Sequence, residues 1–181
     1  GKPNAAIKSY EQALTINPDY AEALNNIGVT FQKLELLDVA IKNFDKALAI
    51  TPSYVEAHNN LGNVLNDLGE PDAAIKSFKK ALAINPSYVE AHYNLGIVFK
   101  DLGQRDAAFE CYNRSLEIDT NYVQARRNLS LLQLDNGYLS EGFKNYEARW
   151  KCKSVNSIYR QIGLPQWAGE PLKGKNILIC G

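Results

Sequence analysis

The stretch from residue 55 to residue 88, VEAHNNLGNVLNDLGEPDAAIKSFKKALAINPSY, decides the fold. Its apolar residues recur at intervals of three and four in two separate blocks, which predicts two amphipathic helices. Gly69 and Pro71 lie between the blocks, where glycine suits the end of one helix and proline suits the first turn of the next. Pro86 ends the second helix, because proline disfavours helical geometry in the residue before it and cannot donate an amide proton. The stretch therefore predicts a helical hairpin.

The same pattern recurs along the chain at steps of 34 residues. The shared positions are a small residue in the first helix, an alanine, an aromatic residue and a second alanine in the second helix, and a closing proline. Small residues let two crossing helices approach closely, and the aromatic residue fills the adjoining space. These positions are Gly28, Gly62 and Gly96; Ala6, Ala40, Ala74 and Ala108; Tyr10, Phe44, Phe78 and Tyr112; Ala13, Ala47 and Ala81; and Pro18, Pro52 and Pro86.

In these positions the sequence resembles the tetratricopeptide repeat family. The resemblance implies an all-α fold, a right-handed superhelical solenoid of helix-turn-helix hairpins. The predicted array covers residues 1–150, with a half repeat at 1–20, full repeats at 21–54, 55–88 and 89–122, and a degenerate or capping repeat at 123–150. In that last repeat Ser130, Gly142 and Arg149 replace the usual residues, as expected of an end repeat whose outer face has no neighbour. Glu35 replaces the turn glycine of the first full repeat.

Composition argues against several classes of function. The 20 basic residues balance the 20 acidic ones, so the chain has no net positive charge to attract a nucleic acid. Its apolar runs are far shorter than the roughly 20 residues that cross a bilayer, so we expect no membrane span. Cys111, Cys152 and Cys180 lack the close spacing of a zinc or redox motif, and they are typical of reduced thiols in a cytoplasmic protein. The chain has no methionine, which indicates a piece of a longer protein.

One polar column indicates a binding surface. Asn26, Asn60, Asn94 and Asn128 recur at the repeat step, each two residues before a core position such as Gly62. Two residues correspond to ~200° around a helix, so the asparagines point away from the hairpin core, toward the side that is concave in the resembled family. A primary amide both donates and accepts hydrogen bonds, so it can pair with the backbone of any extended peptide.

This column resembles the asparagine ladder in the repeat region of O-linked N-acetylglucosamine transferases, where such residues grip polypeptide backbones. The predicted peptide-binding residues are Asn26, Asn60, Asn94, Asn128, Asn59, Asn63, Tyr93 and Arg127. Two alternatives stay open. The asparagines can brace neighbouring repeats, or repeat duplication can have copied them without any role in binding.

The columns beside the asparagines predict the charge of the partner. One column is acidic or neutral and the other mostly acidic, which favours a basic or neutral peptide over an acidic one. The columns are Glu22, Glu56, Glu90 and Gln124, and Lys33, Asp67, Asp101 and Asp135. Arg126 and Arg127 leave a local anion site open near the end of the array. A further column, formed by Tyr20, Tyr54, Tyr88 and Tyr122, is expected to pack each turn against the next hairpin.

We expect neither catalysis nor a cofactor in the array. His58 and His92 are also one repeat apart, but equivalent atoms on packed helices lie about 8–10 Å apart, whereas zinc holds its ligands at about 2 Å. The two histidines are therefore predicted to be half-buried and hydrogen-bonded, without a metal. No nucleophile elbow, phosphate loop or paired Cys/His motif is found in the array.

Residues 151–181 do not follow the repeat. Pro165, Trp167 and the apolar run 176–180 predict a turn-rich stretch leading into a short β-strand. Together with Tyr146 and Trp150, this tail resembles the junction at which bacterial repeat arrays enter a heptosyltransferase-like glycosyltransferase domain. The resemblance implies a linker and the truncated start of such a domain. Alternatively, the tail covers the last hydrophobic face of the array.

Three functions follow as hypotheses. The first is a scaffold that binds a peptide or protein on the concave face. The second is the substrate-recognition arm of a glycosyltransferase whose catalytic domain is missing from this chain. The third is self-assembly of copies into a homo-oligomer.

Overall fold

The computed structural model describes residues 3–147, and this part of the chain consists of helices with no strand. The helices are α1 (Pro3–Ile16), α2 (Ala21–Lys33), α3 (Leu37–Ile50), α4 (Val55–Asp67), α5 (Pro71–Ile84), α6 (Val89–Asp101), α7 (Arg105–Ile118), α8 (Val123–Asp135) and α9 (Leu139–Tyr146). The predicted all-α solenoid is confirmed. The linker and strand predicted at 151–181, and the end of the predicted repeat at 123–150, lie outside the described residues.

The helices pair as hairpins and the hairpins stack. Helix α2 packs on α3, α4 on α5, α6 on α7 and α8 on α9, and the second helix of each hairpin then packs on the first helix of the next. The first helices also contact one another, α2 with α4 and α4 with α6. Helix α1 packs on α2. First helices therefore form one layer of the stack and second helices the other.

A glycine facing an aromatic ring sets the crossing of each full hairpin. A Cβ atom on Gly62 would lie 2.6 Å from Cε1 of Phe78, and one on Gly28 would lie 2.7 Å from Cε1 of Phe44. Both rings are fully buried. Because no real Cβ atom sits so close to a ring, only glycine lets these helices approach to this distance. The predicted role of the small residues is confirmed.

The turn inside each hairpin is a Schellman motif. After α4, Gly69 N–H donates to the carbonyl of Asn66 at 3.0 Å and Glu70 N–H donates to that of Leu65 at 2.9 Å. The motif needs a positive φ at its glycine, and Gly69 has φ 84°. Gly103 and Gly137 repeat this geometry, and Glu35 adopts it with φ 60° although it is not glycine. The first full repeat therefore has the same turn at an added conformational cost.

The last hairpin has a different pair of residues at its helix contact. A Cβ atom on Gly142 of α9 would lie 2.7 Å from Cδ2 of Leu134 in α8, so here the glycine is on the second helix. Ser130 occupies the usual glycine position and is fully buried, with its hydroxyl donating to the carbonyl of Arg127 at 2.6 Å. The predicted drift of the fifth repeat thus has a structural counterpart.

Candidate functional site

The candidate site is the face of the first helices α2, α4, α6 and α8 that carries the asparagine column. We call it the first-helix face. Asn26, Asn60, Asn94 and Asn128 are all half-buried on it, one per repeat. Because the layer of second helices packs against the other side, these amides lie on one continuous side of the stack.

Hydrogen bonds join the asparagines of successive repeats. Asn60 Nδ2 donates to Asn25 Oδ1 at 3.0 Å, and Asn94 Nδ2 donates to Asn59 Oδ1 at 3.0 Å. The acceptors Asn25 and Asn59 are each only 5% exposed. A buried amide oxygen without a partner is costly, so each bond supplies a donor that the fold needs. The asparagine column therefore braces neighbouring repeats.

The brace changes its chemistry at the last repeat. Asn128 Nδ2 donates to two tyrosine hydroxyls, that of Tyr93 at 3.5 Å and that of Tyr112 at 3.4 Å. The Tyr93 ring lies edge-on to Tyr122, with ring centroids 5.3 Å apart, and its centroid is 6.0 Å from that of Tyr112. This end of the face is therefore an aromatic cluster where the preceding repeats have amides.

The other predicted site residues differ in how accessible their side chains are. Asn63 is half-buried on α4 and makes no side-chain hydrogen bond within the described residues, so its amide is available. Arg127 is exposed on α8. Asn59 is buried beneath Asn94, a position that suits bracing better than direct contact with a ligand.

The sequence reasoning missed Asn25. It belongs to the same repeat position as Asn59, one step of 34 residues earlier, and this spacing was the signal that could have found it.

One edge of the face alternates tyrosines and glutamates. Tyr88 and Tyr122 directly precede α6 and α8, and their burial raises the pKa of each hydroxyl to about 12, with Glu90 adding to the effect on both. Burial likewise raises the pKa of Tyr54, assisted first by Glu56 and then by Glu22. Three of the four tyrosines also pack on the hydrophobic clusters between repeats, as expected from their column.

The opposite edge carries exposed aspartates. Asp67 accepts from Gln32 Nε2 at 2.9 Å, a further bond between successive first helices, and Asp101 pairs with Lys100 at 3.2 Å. Both aspartates are exposed, as is Asp135. An exposed ion pair contributes little stability, so this edge remains available for electrostatic contact with a ligand.

The two histidines support the turns between repeats. His58 Nε2 lies 2.9 Å from the carbonyl oxygen of Pro52, and His92 Nε2 lies 2.9 Å from that of Pro86. Because a carbonyl only accepts, Nε2 carries the proton in both rings. Arg126, at the same repeat position, donates to the carbonyl of Thr120. The predicted hydrogen bonds of the histidines are confirmed, although His58 Nδ1 is buried without a partner.

Between residues 3 and 147 no group of three or more His, Cys, Asp or Glu side chains is arranged to hold a metal ion. None of the helices in that range is both long enough and apolar enough to cross a membrane.

Comparisons with known proteins agree with the repeat architecture. A family model described as TPR repeat matches residues 1–35, 37–69 and 62–103, and another described as tetratricopeptide repeat matches residues 89–122. A search of curated proteins found no match.

Several solved structures resemble the chain. A crystal structure of MamA is 27% identical, with a TM-score of 0.72, and covers 87% of this chain and 92% of MamA. TTC0263, a thermophilic TPR protein of Thermus thermophilus, is 27% identical, with a TM-score of 0.73 and 88% of each chain covered. The first TPR of Spaghetti, bound to an HSP90 peptide, is 24% identical, with a TM-score of 0.62, over 65% of this chain and 93% of that one. This third likeness concerns the fold alone.

Proposed function

Because the chain belongs to the tetratricopeptide repeat family, we propose that it is a protein-interaction scaffold whose first-helix face binds an extended polypeptide. The observation that carries the proposal is the repeated, half-buried amide on successive first helices, at Asn26, Asn60, Asn94 and Asn128. Repeat solenoids use such continuous faces for binding.

Bracing does not exhaust the hydrogen-bonding capacity of these amides. A primary amide has two protons and an oxygen that accepts. The bond from Asn60 to Asn25 uses one proton of Asn60, and the bond from Asn94 to Asn59 uses one proton of Asn94. The remaining proton and the oxygen can pair with the carbonyl and the N–H of one extended residue of the ligand, without regard to the side chains of the peptide.

The spacing of the amides suits an extended ligand. Packed helices lie about 8–10 Å apart, and an extended chain advances about 3.3 Å per residue. One asparagine therefore meets roughly every third residue of the bound peptide. The exposed carboxylates of Glu22, Glu56, Glu90, Asp67 and Asp101 favour a basic or neutral ligand.

The test is a binding screen of unrelated peptides against the full chain and its variants. In the variant Asn63→Ala a half-buried amide is lost while the hydrogen bonds between repeats stay intact, so binding should weaken across unrelated sequences with little change in stability. The double variant Asn60→Ala, Asn94→Ala should weaken binding further, and it should also lower stability because it leaves Asn25 and Asn59 without donors.

Asn113→Ala is the matched control, because Asn113 is a half-buried asparagine on a second helix, α7. It should leave binding unchanged. If Asn63→Ala and the folded double variant bind the peptides as tightly as Asn113→Ala does, the first-helix face is not the binding surface.

A second candidate function, assembly of copies, is favoured by exposed apolar side chains on the last hairpin. Tyr138, Leu139 and Phe143 are each more than half exposed, and Leu139 and Phe143 are four residues apart on α9. Light scattering over a concentration series should show a mass that rises in the parent chain and not in Leu139→Ser, Phe143→Ser. A mass that stays monomeric at all concentrations would reject this candidate.

The role as the arm of a glycosyltransferase stays a prediction, because most of the residues behind it, in the range 148–181, lie outside the described part of the chain. Sequencing the parent gene past Gly181 tests it directly.

A further inference from the structure

A row of alternating tyrosines and glutamates borders the first-helix face where the first helices begin. We call it the tyrosine–glutamate row, and its members are Tyr20, Glu22, Tyr54, Glu56, Tyr88, Glu90 and Tyr122. Each tyrosine directly precedes a first helix, and each glutamate lies in the first turn of that helix. Each repeat up to α6 therefore contributes one tyrosine and one glutamate to the row, and the row ends on the tyrosine before α8.

The row is continuous from one repeat to the next. The Tyr20 hydroxyl donates to Glu22 Oε2 at 3.4 Å within the first full repeat. Glu56 acts on the hydroxyl of Tyr54 in its own repeat and on that of Tyr88 in the next, and in both cases it raises the pKa. The glutamates alternate with the tyrosines along the row, each glutamate carboxylate is exposed, and the bonds from Asn60 to Asn25 and from Asn94 to Asn59 hold the helices that carry them side by side.

Basic side chains of the described residues do not neutralise these carboxylates. The ion pairs within residues 3–147 are Lys100–Asp101 and Arg114–Glu117, and neither involves the row. A glutamate in the first turn does stabilise its helix through the helix dipole. One glutamate per helix is enough for that stabilisation, which does not require a tyrosine beside every carboxylate.

The pitch of the row matches one backbone conformation in particular. A polyproline II helix has three residues per turn and advances about 3.1 Å per residue, so it repeats about every 9 Å. The bonds of 3.0 Å from Asn60 to Asn25 and from Asn94 to Asn59 join successive first helices directly, as expected for helix axes about 8–10 Å apart. In a β-strand, by contrast, alternate side chains face opposite ways, so residues three apart would face the row and away from it in turn. Of these two extended conformations, polyproline II is the one that presents the same side to each repeat.

We propose that the partner is a polyproline II segment with lysine or arginine at every third position, whose cations bind the glutamates of the row and whose prolines pack on its tyrosines. The inference rests on the proposed peptide-binding function and names the ligand class. Aromatic grooves recognise polyproline II ligands because these are already ordered before binding, and a cation beside both an aromatic ring and a carboxylate is attracted by each.

The asparagines fit the same ligand. A polyproline II backbone makes no internal hydrogen bonds, and proline contributes a carbonyl but no N–H. The second amide protons of Asn60 and Asn94 can donate to such carbonyls while the first protons keep the brace to Asn25 and Asn59.

The test compares synthetic peptides of equal length by fluorescence anisotropy with the full chain. One peptide repeats Lys-Pro-Pro, a second has the same composition with its lysines clustered at one end, and a third repeats Lys-Gly-Ser. The first should bind roughly tenfold or more tighter than the other two, a difference of about 1.4 kcal/mol. A Glu-Pro-Pro repeat should bind more weakly than all of them.

The variant Glu56→Gln, Glu90→Gln should abolish the preference for the first peptide, and raising the salt concentration should reduce it. Glu110→Gln, Glu141→Gln is the matched control, because these are exposed glutamates of second helices, and it should leave the preference unchanged. Circular dichroism confirms that each variant is folded.

The outcomes separate the two proposals. If the peptides bind and Asn63→Ala weakens their binding, but the spacing of the lysines does not change the affinity, the ligand class is wrong and the scaffold function stands. If none of these peptides binds and the screen of unrelated peptides is also empty, both proposals are wrong.

Discussion

Replacing Glu35 by glycine should stabilise the protein. Glu35 occupies the position that Gly69, Gly103 and Gly137 occupy in the other hairpins, and its φ of 60° lies in the left-handed region. The Schellman bonds around it are intact, with Glu35 N–H donating to the carbonyl of Gln32 at 2.9 Å. Its side chain is exposed and makes no hydrogen bond or ion pair within the described residues. The substitution therefore removes backbone strain without removing a contact.

The size of the gain follows from two opposing terms. A residue with a Cβ in the left-handed conformation costs about 1–2 kcal/mol. Glycine has more conformational freedom in the unfolded chain, and this offsets about 0.4–1 kcal/mol of the stabilisation gained by removing that cost. The equivalent glycines have no atom within 4 Å of a built Cβ, so the cost at this turn is purely conformational. The net stabilisation of Glu35→Gly should be roughly 0.5–1 kcal/mol.

Urea unfolding followed by far-UV circular dichroism measures this change. The midpoint should rise with no change in the slope m, and the melting temperature should rise by about 1–4 °C. Glu35→Ala is the matched control, since it removes the same charge and side-chain atoms but keeps the Cβ. Gly69→Ala is the reverse substitution and should destabilise by a similar amount. If Glu35→Ala stabilises as much as Glu35→Gly, the gain comes from removing the charge, and the argument from backbone strain is wrong.

Three further changes test the packing and the electrostatics. Ser115→Ala should stabilise by ~1 kcal/mol in urea unfolding, because Ser115 Oγ is buried without a partner, whereas Ser130→Ala, which loses a hydrogen bond to Arg127, should not stabilise. Gly62→Ala should destabilise the protein by about 1–3 kcal/mol through the clash with Phe78. Adding Phe78→Leu to this variant should relieve part of that loss. If the effects of the two substitutions on stability simply add, the close approach of Gly62 to Phe78 is wrong. Stability should fall as the pH rises from 10 to 12, because Tyr88 and Tyr122 ionise near pH 10 in the unfolded chain but at about 12 in the folded one. Urea unfolding of Tyr88→Phe, Tyr122→Phe should show a shallower fall in stability over this range. An equal fall would mean that other groups cause the pH dependence.

The hairpins could be predicted because their determinants are local or repeat exactly one period apart. Gly62 and Phe78 belong to the same hairpin, and their columns alone indicate that a small residue faces a ring. The position of the turns followed in the same way from Gly69 and Pro71. The positive φ of Glu35 was not predicted, because a backbone can adopt a costly conformation when the surrounding bonds of the turn favour it.

Bracing was one of the two alternatives that the sequence left open, but its partners could not be read from the sequence because they depend on how hairpins stack. Asn60 reaches Asn25, which is 35 residues away rather than 34, so the bond joins two different columns. A search for repeated positions detects each column and not the contact between them. The same holds for the contact between Gly142 and Leu134, which joins two different repeat positions of the last hairpin.

In the proposed complex, bracing and binding by the same asparagines support each other. A free asparagine side chain on a surface must be immobilised when a peptide binds, at a cost of about 0.5–1.5 kcal/mol for each ordered side chain. The bonds of Asn60 to Asn25 and of Asn94 to Asn59 already fix these amides in the unbound chain. Their remaining protons and oxygens are therefore held in place at the spacing of the repeats, and a ligand whose carbonyls share that spacing gains hydrogen bonds without this cost. Each amide removed in Asn60→Ala, Asn94→Ala is already ordered, so its loss should weaken binding by more than the loss of the Asn63 amide in Asn63→Ala, which a ligand must first order.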